Sequence, residues 1–379
     1  MNCFKFKLVY TVLCLLAFEQ AVAQRKIINK VFSDDTTRHN SFLPVPLFGY
    51  SQEAGLTLGA AGIYSFYTHK NDTVTKASQA YGVLGFSTKG RVQISLKTDV
   101  WAAHNKYHYI TEAKFLNQPF NFYGIGNQTQ KADEDKINLK RFRLNGELER
   151  RVARHFYLGG GAEYENLRFR DKEAGGIYSS APNLVDRDGG EFLFLKATSF
   201  FDSRDNVPYP NKGFYARLQY GYAPNFFGSP NFEGSLLNAD LRAFHSFSQS
   251  FKLALNATYE GLLSNNAVPF YLLRQLGNDQ FMRGYYSGRF RDENLLTSQV
   301  ELRYRPIPRF GLTAFGGTGK VFGQQSFADG QFKPTYGLGA RFFFDLEKGL
   351  ALRFDYALGE KPANEKRISG FYISLGEAF

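Results

Sequence analysis

Polar and apolar residues alternate along most of this chain. In Phe251–Tyr259 one face carries Phe251, Leu253, Leu255, Ala257 and Tyr259, and the other Lys252, Ala254, Asn256 and Thr258. Gly213–Tyr222 repeats the pattern, with Phe214, Ala216, Leu218, Tyr220 and Tyr222 opposed to Tyr215, Arg217, Gln219 and Gly221. A period of two with one greasy and one polar face predicts half-buried strands. The same reasoning places strands near 54–67, 78–87, 90–102, 106–116, 119–127, 136–151, 154–169, 191–202, 213–223, 234–247, 250–263, 294–305, 310–321, 334–345, 349–358 and 368–378, sixteen in all. Short turns (Thr88–Gly90, Val152–Arg154, Ser248–Gln249, Pro306–Pro308, Glu347–Gly349) alternate with longer polar loops such as 127–136, 170–190 and 265–293. An even strand number, short turns at one end and long loops at the other predict an all-β fold: a transmembrane antiparallel barrel. Its apolar face points to lipid and its polar face to the lumen.

The first residues read differently. Lys5 and Lys7 precede an apolar run, Leu8–Phe18, and Ala21-Val22-Ala23 has the small-x-small form of a cleavage site. This predicts an export leader over 1–23, a short polar lead-in over 24–46 and a barrel over 47–379. Both cysteines, Cys3 and Cys14, fall in the leader, so the exported part has no thiol chemistry and no disulfide. After the leader no apolar run is long enough for a membrane-crossing helix.

Composition agrees with a β-rich chain: 39 Phe, 23 Tyr and 37 Gly against 2 Met. The net charge of +11 falls to +10 when Lys5, Lys7 and Glu19 leave with the leader, and the charges are dispersed. In an exported chain that balance points to anionic lipid head groups or acidic clients, not to nucleic acid.

Candidate chemistry adds little. His104 and His108 have a metal-like spacing but no cysteine or acid beside them in sequence, and no metal or other cofactor is expected. Gly316–Lys320 (GGTGK) lacks the Ser/Thr and the following helix of a phosphate loop. No Ser/His pair assembles on one strand edge, so an enzyme is not expected, and a lipase is the remote enzymatic alternative.

Three stretches carry a family resemblance. Phe201–Tyr215 (FDSRDNVPYPNKGFY) contains Asp202, Arg204, Asp205, Asn206, Pro210, Lys212 and Gly213 in a D-x-R-D-N…P-x-K-G run. By itself this is a turn, with self-capping Asp and Asn and a releasing glycine. Gln275–Asp292 (QLGNDQFMRGYYSGRFRD) contains Leu276, Gly277, Met282, Arg283, Gly284 and Tyr285, with Asn278 where a second glycine is usual. Gly370–Phe379 (GFYISLGEAF) sets Phe371, Ile373, Leu375 and Phe379 on one face and ends on an aromatic. Together these resemble the BamA/TamA-type bacterial surface antigen family. The resemblance implies a bacterial outer-membrane barrel that inserts or translocates client proteins. It implies a loop after the eleventh strand folded into the lumen, and a C-terminal signal for insertion. It also implies a weak seam between first and last strands, here those near 54–67 and 368–378. Only 24–46 precedes the barrel, which suits a barrel-only member lacking POTRA domains and served by a separate periplasmic receptor. The alternative is a passive pore or structural barrel.

The resemblance pairs the loop arginine with acids on the lumen wall. Parity turns Thr297, Gln299, Glu301, Arg303 and Arg305 inward, so Glu301 is the expected partner of Arg283. Where the family has a second acid this chain has Gly317. Asp355 is the candidate substitute, with Arg353 and Arg341 competing for it. Arg289 and Arg291 have no evident partner in the sequence.

Overall fold

The structure, a computed structural model, describes residues 40–379 apart from 70, 73, 182, 183, 229, 230, 325, 329, 347 and 348. The expected leader and most of the lead-in lie outside the described residues. The alternating runs become long antiparallel strands: β1 (Ser41–Ser51), β2 (Gly55–Phe66), β3 (Ser78–Ser87), β4 (Val92–Trp101), β5 (Tyr107–Phe122) and β6 (Asp135–Ala153). They continue as β7 (Phe156–Asp171), β8 (Gly189–Asp202), β9 (Gly213–Ala223), β10 (Gly234–Ser246) and β11 (Phe251–Leu263). A two-stranded hairpin, β12 (Arg274–Leu276) and β13 (Phe290–Asp292), forms inside the next loop. The wall resumes with β14 (Asn294–Ile307), β15 (Phe310–Phe322), β16 (Lys333–Asp345), β17 (Leu350–Leu358) and β18 (Ser369–Leu375). Sixteen of these strands close one barrel, in chain order, with β1 beside β18.

The expected number is right, but two assignments differ and offset each other. The segments 106–116 and 119–127 are one strand, β5, whose register with β6 runs unbroken from Tyr107↔Arg150 to Phe122↔Asp135. Ser41–Ser51, part of it assigned above to the lead-in, is a wall strand in full register with β2. The seam therefore joins β1 to β18, not the strand near 54–67. The shift also moves the Thr88–Gly90 turn to the end that carries the long loops.

Strand parity follows the sequence. Ile94, Leu96, Leu218, Leu241 and Leu338 are exposed on the outer wall. Lys196, Lys252, Glu301, Arg303, Arg341 and Asp355 are buried on the inner one.

Both ends are covered. At the long-loop end, Phe122, Tyr178, Phe192, Phe270, Tyr271 and Leu273 belong to an apolar core built from loops as well as strands. At the end that holds the C-terminus, the β8–β9 turn reaches across the mouth, and Tyr209 packs edge-on against Phe343 of β16 at 4.9 Å.

Candidate functional site: the loop and the seam

The loop between β11 and β14 enters the barrel. Its stem is the β12–β13 hairpin. Asn278 turns the chain by accepting the N–H groups of Gln280 and Phe281 at 2.7 and 2.9 Å. Met282 and Gly284 hold positive φ values of 53° and 103°. At Gly284 this backbone is natural for glycine and strained for other residues. It lets the Gly284 N–H donate to the Tyr372 hydroxyl at 2.9 Å, on the inner face of β18.

Arg283 is 1% exposed and is gripped from three sides. Its Nη2 donates to Glu301 Oε1 on β14 at 2.6 Å, and its Nη1 donates to Asp355 Oδ2 on β17 at 2.6 Å. The guanidinium lies 3.5 Å from the centre of the Phe315 ring on β15. The Arg283 carbonyl accepts the Thr335 hydroxyl of β16. Glu301 and Asp355 are thus brought together by the arginine. Gly317 holds no acid, and Asp355 supplies the second carboxylate from the neighbouring side of the wall. Asp355 also accepts from Arg341 at 2.6 Å and lies 3.7 Å from Arg353 Nε, and Glu301 accepts from Arg303 at 2.9 Å, so each acid serves more than one arginine. Charged bonds of this kind are strong because burial strips the competing water. Tyr285 extends the grip, donating to the Pro334 carbonyl at 2.7 Å and accepting the Glu360 N–H at 2.9 Å.

Two arginines without expected partners find different ones. Arg289 donates to both oxygens of Glu365 at 2.9 and 2.7 Å. Burial alone would raise the Glu365 carboxyl, but the Lys131 N–H and the Arg289 guanidinium outweigh it and hold it below the usual carboxylate range. Arg291 donates to the Gly288 carbonyl and lies 5.1 Å from the Phe122 ring centre. Burial pulls its guanidinium down to about 10.

The loop also touches both sides of the seam. Gln52, in the β1–β2 turn, donates to the Gly284 carbonyl at 3.0 Å and to the Ser369 carbonyl on β18. Glu53 accepts the Ser287 N–H at 2.7 Å. Asp279 accepts the Ser374 hydroxyl of β18 at 2.7 Å. Sequence reasoning missed Gln52 and Glu53 because it placed the seam strand one strand too late. Between β1 and β18 themselves a single residue pair remains among the described residues, Tyr50↔Ile373.

The turn motif is a built turn. Asp202 takes Arg204 in a two-pronged contact at 2.9 and 3.1 Å. Asp205 accepts the Asn211 N–H at 2.9 Å, and Asn206 accepts that of Tyr209 at 2.9 Å. Pro210 is buried, and Gly213 has φ +117°, where a Cβ would strike the Ser203 carbonyl oxygen at 2.5 Å. The motif thereby aims Tyr209 into the mouth.

The C-terminal set divides. Phe371 and Leu375 are exposed on the outer wall, and Ile373 pairs across the seam. Phe379 does not share their face. Gly376, at φ +78°, ends β18, so strand parity no longer applies beyond it. Phe379 lies inside, buried with Phe244 and Ala254, and Arg303 donates to its carbonyl oxygen at 3.1 Å. Arg341 donates to Glu377 at 2.9 Å.

The Omp85 superfamily domain matches residues 60–379. The chain belongs to the Omp85 superfamily. Among solved structures, this Omp85 chain resembles BamA from Haemophilus ducreyi lacking POTRA domains 1–3, with a TM-score of 0.58 and 11% identity over 89% of this chain and 70% of that one. It resembles CdiB from Acinetobacter baumannii with a TM-score of 0.59 and 14% identity, over 90% of this chain and 60% of that one. The match to CdiB from Escherichia coli has a TM-score of 0.57 and 9% identity, over 92% and 68%. At such identities these likenesses speak to the barrel fold. No curated protein matches the chain.

Proposed function

We propose that this chain sits in a bacterial outer membrane and inserts client proteins into it, or moves them across it, by parting β1 from β18. One observation carries the reading: the two strands share a single residue pair, whereas β5 and β6 share sixteen. A barrel in lipid tolerates no idle strand edge without cost, because no water satisfies the exposed backbone groups. A seam this short is the place where the wall opens most cheaply. The Arg283 loop acts as its clasp, since it binds the inner wall over β14–β17 and holds Gln52, Glu53 and Tyr372 on the two sides of the gap. The partners are outer-membrane lipids, unfolded outer-membrane or secreted clients, and a separate periplasmic receptor that delivers them. A passive pore is the weaker reading, because the loop crosses the lumen and apolar or aromatic packing covers both ends.

The test is a lock. Tyr50→Cys with Ile373→Cys places two cysteines directly opposite, at a separation a disulfide can span. The oxidised protein is expected to fail to rescue the phenotype of a strain lacking this gene, and the reduced protein to rescue it. Full rescue by the locked form overturns the reading.

A further inference from the structure

The direction of each backbone group at the seam follows from bonds nearby. The Thr88 N–H donates to the Leu56 carbonyl at 2.9 Å, so even positions of β2 face β3 and odd positions face β1. The register sets Leu47 opposite Gly59 and Gly49 opposite Thr57, so odd positions of β1 bond to β2 and even positions face β18. On the other strand, the Gly359 N–H donates to the Ile368 carbonyl at 2.8 Å, so even positions there face β17 and odd positions face β1. Tyr50 opposite Ile373 satisfies both rules. The same register continued sets Phe48 against Leu375, Pro46 against Glu377 and Pro44 against Phe379.

Proline has no N–H to give. If β18 ran on along β1, the carbonyls of Glu377 and Phe379 would meet two proline nitrogens in the middle of a membrane wall. The chain turns away at Gly376 instead. Arg341 takes Glu377, and Arg303 takes the Phe379 carbonyl oxygen inside the barrel. The two strands thus decline to pair from both sides of the gap.

We propose that Pro44 and Pro46 bar strand pairing along this half of β1, so that an extended client strand docks on the β18 edge, Ser369–Leu375, and not on β1; this rests on the seam reading above. On that edge Ser369, Phe371, Ile373 and Leu375 each carry an N–H and a C=O. If the tail leaves the lumen, Glu377 and Phe379 lengthen the edge. On β1 the run Phe42–Phe48 offers four carbonyls but donors only at its two ends. A client strand laid there buries two carbonyls with no donor, at a cost of about 1–3 kcal/mol each even by the milder scales. The partner that fits is an unfolded polypeptide in β conformation with unbroken alternate N–H groups.

Two experiments test this. The first needs no client. Val45→Cys and Ala378→Cys stand opposite in the continued register. In vesicles of phosphatidylethanolamine and phosphatidylglycerol they are expected to form no disulfide in the parent chain, and to form one when Pro44→Val and Pro46→Val are added. Pro46→Val alone, which restores the donor next to the existing pairing, serves if the double variant does not fold. A disulfide with both prolines present overturns the proposal, as does its absence from folded proline-free protein. The second places a photocrosslinking residue at 371 or 375, or at 42 or 48. The probe is an eight-stranded outer-membrane barrel diluted from urea onto the same vesicles. Yields at 371 and 375 are expected to exceed those at 42 and 48 by about thirtyfold or more, the ratio that two orphaned carbonyls imply. Equal or greater yields at 42 and 48, or none at 371 and 375, overturn it. Failure of the seam reading shows itself separately: the Tyr50–Ile373 disulfide then leaves insertion of that probe unchanged.

Discussion

The β5–β6 hairpin and the β1–β18 seam are built from similar alternating residues and stand in the same wall. From Tyr107 to Phe122, every residue of β5 has a partner on β6. At the seam one pair, Tyr50↔Ile373, is all that remains, and side chains do the rest: Gln52, Glu53, Tyr372 and Asp279 join the seam to the loop. The hairpin is sealed by backbone hydrogen bonds along its whole length. The seam is held largely by side chains, which on the proposed function a competing strand displaces. Within one barrel, the sealed edge and the edge proposed to open thus differ in which groups do the bonding.

The comparison breaks most severely if the seam's device is moved into the sealed region. Ile110 lies mid-strand with its N–H directed at β6, opposite Glu147. Ile110→Pro removes that bond, leaves a wall carbonyl without a donor and puts a ring where a central strand does not accept one, so the folded barrel is expected to be lost. Heat-modifiability on a gel should show loss of the folded barrel. Pro44→Val with Pro46→Val should leave the folded band intact. Equal behaviour of the two changes would show that β1 is as tightly sealed as β5.

The clasp comes next. Glu301→Gln leaves Arg283 and Arg303 sharing one acid fewer in a buried site, at a cost of about 3 kcal/mol, the low end for breaking a buried pair. The loop should become open to added protease while the strands stay protected. A loop as resistant as the parent's would remove Arg283 from the clasp. Below that in size is Gln52→Ala, which deletes two hydrogen bonds worth about 1 kcal/mol each. It should speed amide exchange in β18 and leave β5 and β6 untouched. Unchanged exchange at Ser369–Leu375 would mean that Gln52 does not hold the seam.

Prolines stand where the sequence misled. Pro119 lies inside β5, which runs unbroken where two strands, 106–116 and 119–127, were expected. Odd positions of β5 face β4, and Pro119 lies past the end of that strand, so its missing N–H costs no ladder bond. Pro44 and Pro46 lie in β1, in the part of it assigned to the lead-in, on the side away from β2. Parity, by contrast, was legible wherever a strand kept its ladder, and it placed Glu301, Gly317 and Asp355 on the inner wall. It failed at Phe379 because Gly376 ends the strand. The partners of Arg289, the contacts of Gln52 and the reach of Tyr209 were not legible. They join segments far apart in sequence, and only the closed barrel brings them together.

The smallest effect lies where the two regions meet. Glu365, in the β17–β18 loop beside the seam, accepts the N–H of Lys131 in the β5–β6 loop at 2.8 Å and pairs with Arg289. It ties the β5–β6 loop to the β17–β18 loop. Its carboxyl is held below the ordinary range in the folded protein, so its stabilisation is present above the unfolded value and is lost as pH falls below about 4. Arg289 is buried and Glu365 partly exposed, but the pair joins two loops, so the strands of the barrel should not respond. Amide exchange in 359–368 should quicken as the pH is lowered through that window, after correction for the intrinsic rate. Glu365→Gln should show the quick exchange at every pH. If the variant keeps the parent's pH dependence, another group titrates there, and the two loops are coupled by something other than this carboxylate.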